Sequence, residues 1–248
     1  MIRFTALAVS PWSEKARWAL LHHHIAFHEE SYTPGLSEPL LRLRLRKFGG
    51  KVTVPVLYDG QRYHTDSFEI ARFAEHHAAA SGKPLLPDSK LPEIQQWNRR
   101  SEAALAAGRQ LFMVEVLKNP ELTKGLIPPQ VPEALRPALM PVLKLGNQMF
   151  ARKYRLAKSP ESCRAEMTEA LTGLEQALGG RDYLLGDFSY ADITMAVVLQ
   201  ALQPVEPRYG IQPMVRGSTG SVDPELRDRF KGLIDWRDRL YAKHRPVR

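Results

Sequence analysis

Ser10-Pro11-Trp12-Ser13-Glu14-Lys15-Ala16-Arg17-Trp18 places a hydroxyl between a short apolar run, Ile2 to Val9, and a stretch of amphipathic helical character. Serine followed by proline reads as an N-cap and the first helical position, where the missing N–H of proline costs nothing and its φ is already helical. A strand therefore delivers Ser10 to a helix N-terminus, where free N–H groups and the positive end of the helix dipole favour an anion. Two further helix starts combine hydroxyls and carboxylates. Asp66-Ser67 precedes Glu69 at capping-box spacing, and Ser189-Tyr190-Ala191-Asp192 repeats the box with Phe188 and Ile193 spaced as a hydrophobic staple. Histidines 22, 23, 24 and 28 include three in succession, which point to different sides of a helix and cannot form one compact metal site. They are expected at a helix end or facing solvent.

The elements that must position these residues fall into two parts. The first alternates: a strand over 2–8, a helix over 13–23, a strand near 26–31 and a helix near 37–47, which implies a parallel βαβ unit. Val52 to Tyr58, then Asp59-Gly60, then Gln61 to His64 reads as a hairpin, and Pro55 within it argues for an edge position or a special backbone conformation. A helix over 67–80 follows. Residues 81–88 read as a linker and place a domain boundary, giving domains at 1–81 and 90–248. Beyond it the pattern is helical, at 92–118, 133–155, 161–179, 190–203 and 225–243, with Ile193 to Leu202 apolar enough to be the central buried helix. Residues 119–141, with six prolines, and 204–224, with four prolines and three glycines, interrupt the pattern.

Composition narrows the classes. With 248 residues, 44% of them hydrophobic, the chain can bury a substantial core. Its single cysteine, Cys163, excludes an intrachain disulfide framework, a Cys-x-x-Cys motif and a multi-cysteine metal site, and fits a cytoplasmic setting. Cys163 itself reads as a small buried hydrophobe. No run approaches the roughly 18 apolar residues of a membrane span. The formal charge of +8 raises nucleic acid, acidic membrane surfaces and small anions as partners. The densest basic run, Arg42, Arg44, Arg46 and Lys47, lacks an aromatic stacking platform beyond Phe48 and reads as a solvated helix face.

Taken in order, Ser10-Pro11, Val54-Pro55-Val56-Leu57, Asp66-Ser67 and Ser189-x-x-Asp192 resemble the glutathione transferase superfamily over most of the chain. The resemblance implies a thioredoxin-like βαβαββα domain followed by an all-helical bundle, an α/β plus all-α architecture, and a homodimer. It makes glutathione the co-substrate and expects no metal. Ser10 then corresponds to the donor of a hydrogen bond to the glutathione sulfur. Pro55 corresponds to the family's cis-proline, which turns Val54 so that its main chain pairs with the cysteinyl unit. Asp66 and Ser67 correspond to the residues that hold the γ-glutamyl ammonium and carboxylate. Thr53 stands where many relatives carry lysine or glutamine, so Lys51 is the substitute candidate for the glycyl carboxylate. The resemblance puts an electrophile pocket between the first helix start and the first long helix of the second domain, with Trp12, Arg109, Phe112 and Met113 as lining candidates, and Arg17 and Trp18 packed toward the domain interface. It marks 119–141 and 204–224 as insertions.

The energetics suit a lone hydroxyl. A thiol of pKa about 8.5 needs roughly 2.7 kcal/mol of preferential stabilisation for a shift of about two units. A hydrogen bond to a charged acceptor supplies about 1.5–3 kcal/mol and a helix N-terminus about 0.3–1 kcal/mol more. Serine at both position 10 and position 13 argues against exchange through an enzyme mixed disulfide. Conjugation, peroxide reduction and isomerisation all use the same thiolate. The alternatives are a noncatalytic module of the same fold, used for protein interaction or ligand carriage, and a basic adaptor for nucleic acid.

Overall fold

A computed structural model of the protein describes residues 1–78, 83–125, 158–211 and 223–247, with scattered positions between 132 and 154. The chain opens with β1 (Arg3–Ala6), α1 (Pro11–His22), β2 (His28–Ser31), α2 (Glu38–Arg44), β3 (Val56–Tyr58), β4 (Tyr63–His64) and α3 (Ser67–His76). The strands form one sheet in the order β2-β1-β3-β4. β1 runs parallel to β2, with Phe4 opposite Glu29, and antiparallel to β3, with Phe4 opposite Leu57. The expected βαβ unit and hairpin both form, the latter turning at Gly60 with φ +108°, a conformation that costs glycine little. Pro55 is not on an edge strand; it directly precedes the inner strand β3, and the Val54–Pro55 bond is cis.

The remainder is helical: α4 (Leu91–Lys118), α5 (Pro120–Gly125), α6 (Pro160–Leu178), α7 (Tyr190–Ala196), α8 (Pro224–Arg229) and α9 (Lys231–His244). Several expected bounds move. The helix expected to 47 ends at Arg44, with Arg46 at φ +51°, and the one expected to 80 is capped at His77. The apolar run after Ser189 is α-helical only to Ala196 and continues as a 3₁₀ stretch, Val197–Ala201, every residue of it through Leu199 buried. The helix expected over 225–243 is broken at Phe230, whose fully buried ring anchors the bend. Most of the helix expected over 133–155, residues 126–131 of the interruption at 119–141, and residues 212–222 lie outside the described residues.

One continuous buried cluster joins the sheet to the helices, from Phe4, Leu57 and Ile70 through Trp18 to Ile193, Phe230 and Leu240. Close helix approach requires Gly108 on α4, where a Cβ would lie 3.3 Å from that of Ala201 and 3.4 Å from the Met167 sulfur. Within the stretch read as a linker, residues 85 and 86 are held in place. Leu85 is fully buried, the Leu85 and Leu86 N–H groups both donate to Glu75, and the Tyr190 N–H donates to the Leu85 carbonyl. Glu75 also meets His23 at 2.9 Å, so His23 is a buried helix-end residue and not a solvent-facing one, while His24 and His28 are exposed. Phe188 joins a ring cluster with Trp18, His22, Tyr183 and His244 and stacks on the last at 3.9 Å.

Candidate functional site

The end of β1 turns into α1 over Leu7 to Ser10. The Ser10 N–H donates to the Leu7 carbonyl at 2.9 Å, and the Ser13 hydroxyl accepts the Leu7 N–H at 3.2 Å. These bonds fix Ser10 as the N-cap of α1, where its Oγ accepts the Ser13 N–H at 3.3 Å. A hydroxyl that accepts still has its own hydrogen to give. Ser10 is 8% exposed, so that hydrogen is offered at a nearly dry helix start.

The polar face of α1 is buried against the helices. Lys15, with no exposed surface, donates to Asn98, Ser101 and Glu102 of α4 at 3.0, 2.9 and 2.5 Å. Burial pulls the Lys15 pKa down, opposed chiefly by Glu102 and then Asp66. The second oxygen of Glu102 accepts the Trp12 indole N–H at 2.6 Å and so orients that ring. Trp12 in turn contacts Arg109, whose guanidinium centre lies 4.8 Å from its ring and 3.9 Å from that of Tyr154. Burial lowers the Arg109 pKa, with Tyr154 and Glu102 opposing. The structure thus brings Ser10, Trp12 and Arg109 into one chain of neighbours. Phe112 is half-buried and Met113 is buried on the same helix. Arg17 pairs with Glu14 and Glu29, and Trp18 donates to the His244 carbonyl at 3.1 Å, which places Trp18 at the junction with the C-terminal helix.

β3 and α3 carry the other candidate residues, and α3 packs against α1. β3 pairs from Val56, so Val54 precedes the ladder, and among the described residues its main chain forms no hydrogen bond. Asp66 is exposed and caps α3, its Oδ1 accepting the Phe68 and Glu69 N–H groups at 2.8 and 3.3 Å. Glu69 reaches back one residue past the cap, to the Thr65 N–H. Ser67 is buried to 1%, and among the described residues neither its hydroxyl nor that of Tyr190 has a hydrogen-bond partner. Burial drives the Tyr190 pKa well up, and the nearby Ser67 hydroxyl tempers the rise. Thr53 and Lys51 are exposed, with the Lys51 ammonium 5.7 Å from the Tyr154 ring. Tyr154, Glu102 and Lys15 were missed by sequence reasoning. A charged residue in an amphipathic helix reads as solvent-facing, and nothing local signals a partner about 90 residues away.

No cluster of histidine, cysteine, aspartate or glutamate suited to a metal ion occurs among the described residues, and no described helix is long and apolar enough to cross a membrane. Sequence models of the glutathione S-transferase N-terminal and C-terminal domains match residues 9–77 and 121–239. The chain belongs to the glutathione S-transferase superfamily. Its mixed sheet with flanking helices is the thioredoxin-like part of that fold, and the helices beyond it are the family's second part. Among solved glutathione S-transferases, one from Methylobacillus flagellatus with glutathione bound aligns over all of both chains, at 16% identity and a TM-score of 0.60. One from Methylobacterium radiotolerans, in complex with glutathione sulfonate, aligns over all of this chain and 95% of its own at 19% identity and 0.58. The beta-etherase LigF of a Sphingobium strain aligns over 97% and 95% at 18% identity and 0.63. At these identities the likeness is one of fold. No curated protein sequence matches the chain.

Proposed function

We propose that this glutathione S-transferase superfamily member is a glutathione-dependent enzyme in which Ser10 holds the glutathione thiolate for attack on a small electrophile. The observation that carries the reading is Ser10 itself: it caps α1 through its oxygen, keeps its hydrogen to donate, and is nearly buried at a helix N-terminus. Two relatives of the same fold bind glutathione or its sulfonate. Val54 supplies unspent main-chain groups for the cysteinyl unit beside Pro55, in the manner of an added strand. Asp66 spends Oδ1 on its cap and keeps Oδ2 for the ligand ammonium. The Ser67 hydroxyl is buried, so its main-chain N–H is the group offered to the γ-glutamyl carboxylate. Lys51 or Thr53 takes the glycyl end, and the electrophile lies beside Trp12, Arg109, Phe112 and Met113.

In this reading residues 1–81 form the glutathione-binding domain and 90–248 the domain that shapes the electrophile pocket, in a cytoplasmic homodimer. The lone, buried Cys163 supports the reducing compartment. Titration calorimetry of wild type and Ser10→Ala with reduced glutathione and with S-methylglutathione, between about pH 6 and 8, tests the mechanism. Wild type should release protons on binding glutathione and none on binding S-methylglutathione, and Ser10→Ala should bind glutathione without release. Failure of wild type to bind either ligand at millimolar concentration ends the enzyme reading and favours a noncatalytic module.

A further inference from the structure

Arg109 differs from the other cations at this interface in what meets it. Lys15, Arg17 and Arg245 are each paired with carboxylates, and Arg237 donates to the Leu199 and Gln203 carbonyls. Among the described residues no acceptor takes a hydrogen bond from Arg109, no carboxylate pairs with it, and its Nε is buried without a partner. Glu102, whose charge reaches it, is already committed through one oxygen to Lys15 and through the other to Trp12. What holds the guanidinium is aromatic: the rings of Trp12 and Tyr154 at 4.8 and 3.9 Å. Such contacts attract a cation without neutralising it. Lys51 approaches the same Tyr154 ring at 5.7 Å and adds a second positive charge nearby. A partly buried guanidinium with ring contacts and no acid presents a planar fork of donors, the geometry that a carboxylate satisfies with two parallel bonds.

Trp12 lies two residues beyond Ser10 in the first turn of α1, and its ring meets Arg109 at 4.8 Å, so the helix start that carries Ser10 also carries the aromatic partner of this cation. Resting on the function proposed above, we infer that the electrophile is an aromatic carboxylate, its ring against Trp12 and its carboxylate on Arg109, with its reactive carbon toward Ser10. For an aryl halide of this class, the thiolate sulfur bonds the ring carbon, the carbon–halogen bond breaks and halide leaves with the electron pair. The thiol proton is given to solvent when the thiolate forms.

The test measures binding of 3,5-dinitrobenzoate and its uncharged analogue 3,5-dinitrobenzamide by calorimetry, with and without S-methylglutathione. Wild type should prefer the benzoate by about tenfold or more, the worth of a charge-assisted hydrogen bond. Arg109→Gln should abolish the preference, and Arg109→Lys, which keeps the charge and loses the fork, should retain part of it. The kcat/KM values for 4-chloro-3,5-dinitrobenzoate and its carboxamide with reduced glutathione should show the same order. Equal affinities, no binding of either compound, or a preference that survives Arg109→Gln overturns the inference. Binding of S-methylglutathione in the same samples reads the underlying function separately. If it fails while the benzoate preference holds, the thiolate reading falls and the anion site stands.

Discussion

Arg245, in the last turns of the chain, reaches back 231 residues to Glu14 in the first turn of α1, with its Nε 2.7 Å from one carboxylate oxygen and an Nη 3.3 Å from the other. Glu14 is fully buried and also receives Arg17 at 2.7 Å, so one carboxylate serves two nearly buried guanidinium groups. That clasp ties the C-terminal segment to the helix that begins with Ser10. Hydrogen bonds and charges from Glu29 and Glu14 outweigh the burial of Arg17 and push its pKa up.

Removal of the shared partner should therefore cost more than removal of either cation. Glu14→Gln leaves Arg245 without a carboxylate and Arg17 with Glu29 alone and should lose about 3–5 kcal/mol, whereas Arg245→Met leaves Glu14 paired with Arg17 and should lose less. Urea midpoints of the two variants give the order, and a milder Glu14→Gln would refute the clasp.

The Lys15–Glu102 pair is asymmetric, its side chains 0% and 38% exposed. Glu102→Gln strands a buried ammonium and should cost about 3 kcal/mol or more. Lys15→Met keeps the stem in place and leaves a carboxylate that water can reach, so it should be the milder change. Glu102→Gln should also weaken electrophile binding, because Trp12 then loses its charged acceptor. Thermal melts together with KM for the electrophile report both effects.

His244 carries a pH prediction. Burial first, then the positive charge of Lys243 and the neighbouring His22 and Lys83, holds its pKa down to about 4. Free histidine titrates near 6.5, so as pH falls the unfolded chain takes up this proton before the folded one, and stability is lost between about pH 6.5 and 4. His244→Phe keeps a ring to stack on Phe188 and cannot be protonated. Its melting temperature should fall less steeply across that window than that of wild type, and parallel slopes would count against the assignment.

For Ser10→Ala with an activated aryl halide, loss of one charge-assisted hydrogen bond should lower kcat/KM by about 10- to 100-fold at neutral pH. The gap should narrow as pH rises toward the free thiol pKa of about 8.5, because ionisation then proceeds unaided. Loss of the N-cap should cost about 1 kcal/mol of stability. A gap independent of pH would point to the cap alone.

Local signals in the sequence determined much of this. Ser10-Pro11, Asp66-Ser67 and Asp59-Gly60 each encode a cap or a turn through backbone geometry that neighbouring residues set by themselves, and each forms where it was read. Apolar periodicity likewise found the strands, α4 and the buried run after Ser189. Only the tertiary structure decided the cis state of Val54–Pro55, the break at Phe230 and the pinning of residues 85 and 86 through Glu75. It also decided that Glu14, Lys15 and Arg17 are buried and that Arg109 keeps a ring-lined charge with no carboxylate partner among the described residues. The physical reason is range. Caps and turns are settled within a few residues, whereas burial of Lys15 and Glu14 depends on Glu102 and Arg245, about 90 and 230 positions away, which only packing brings within hydrogen-bond reach.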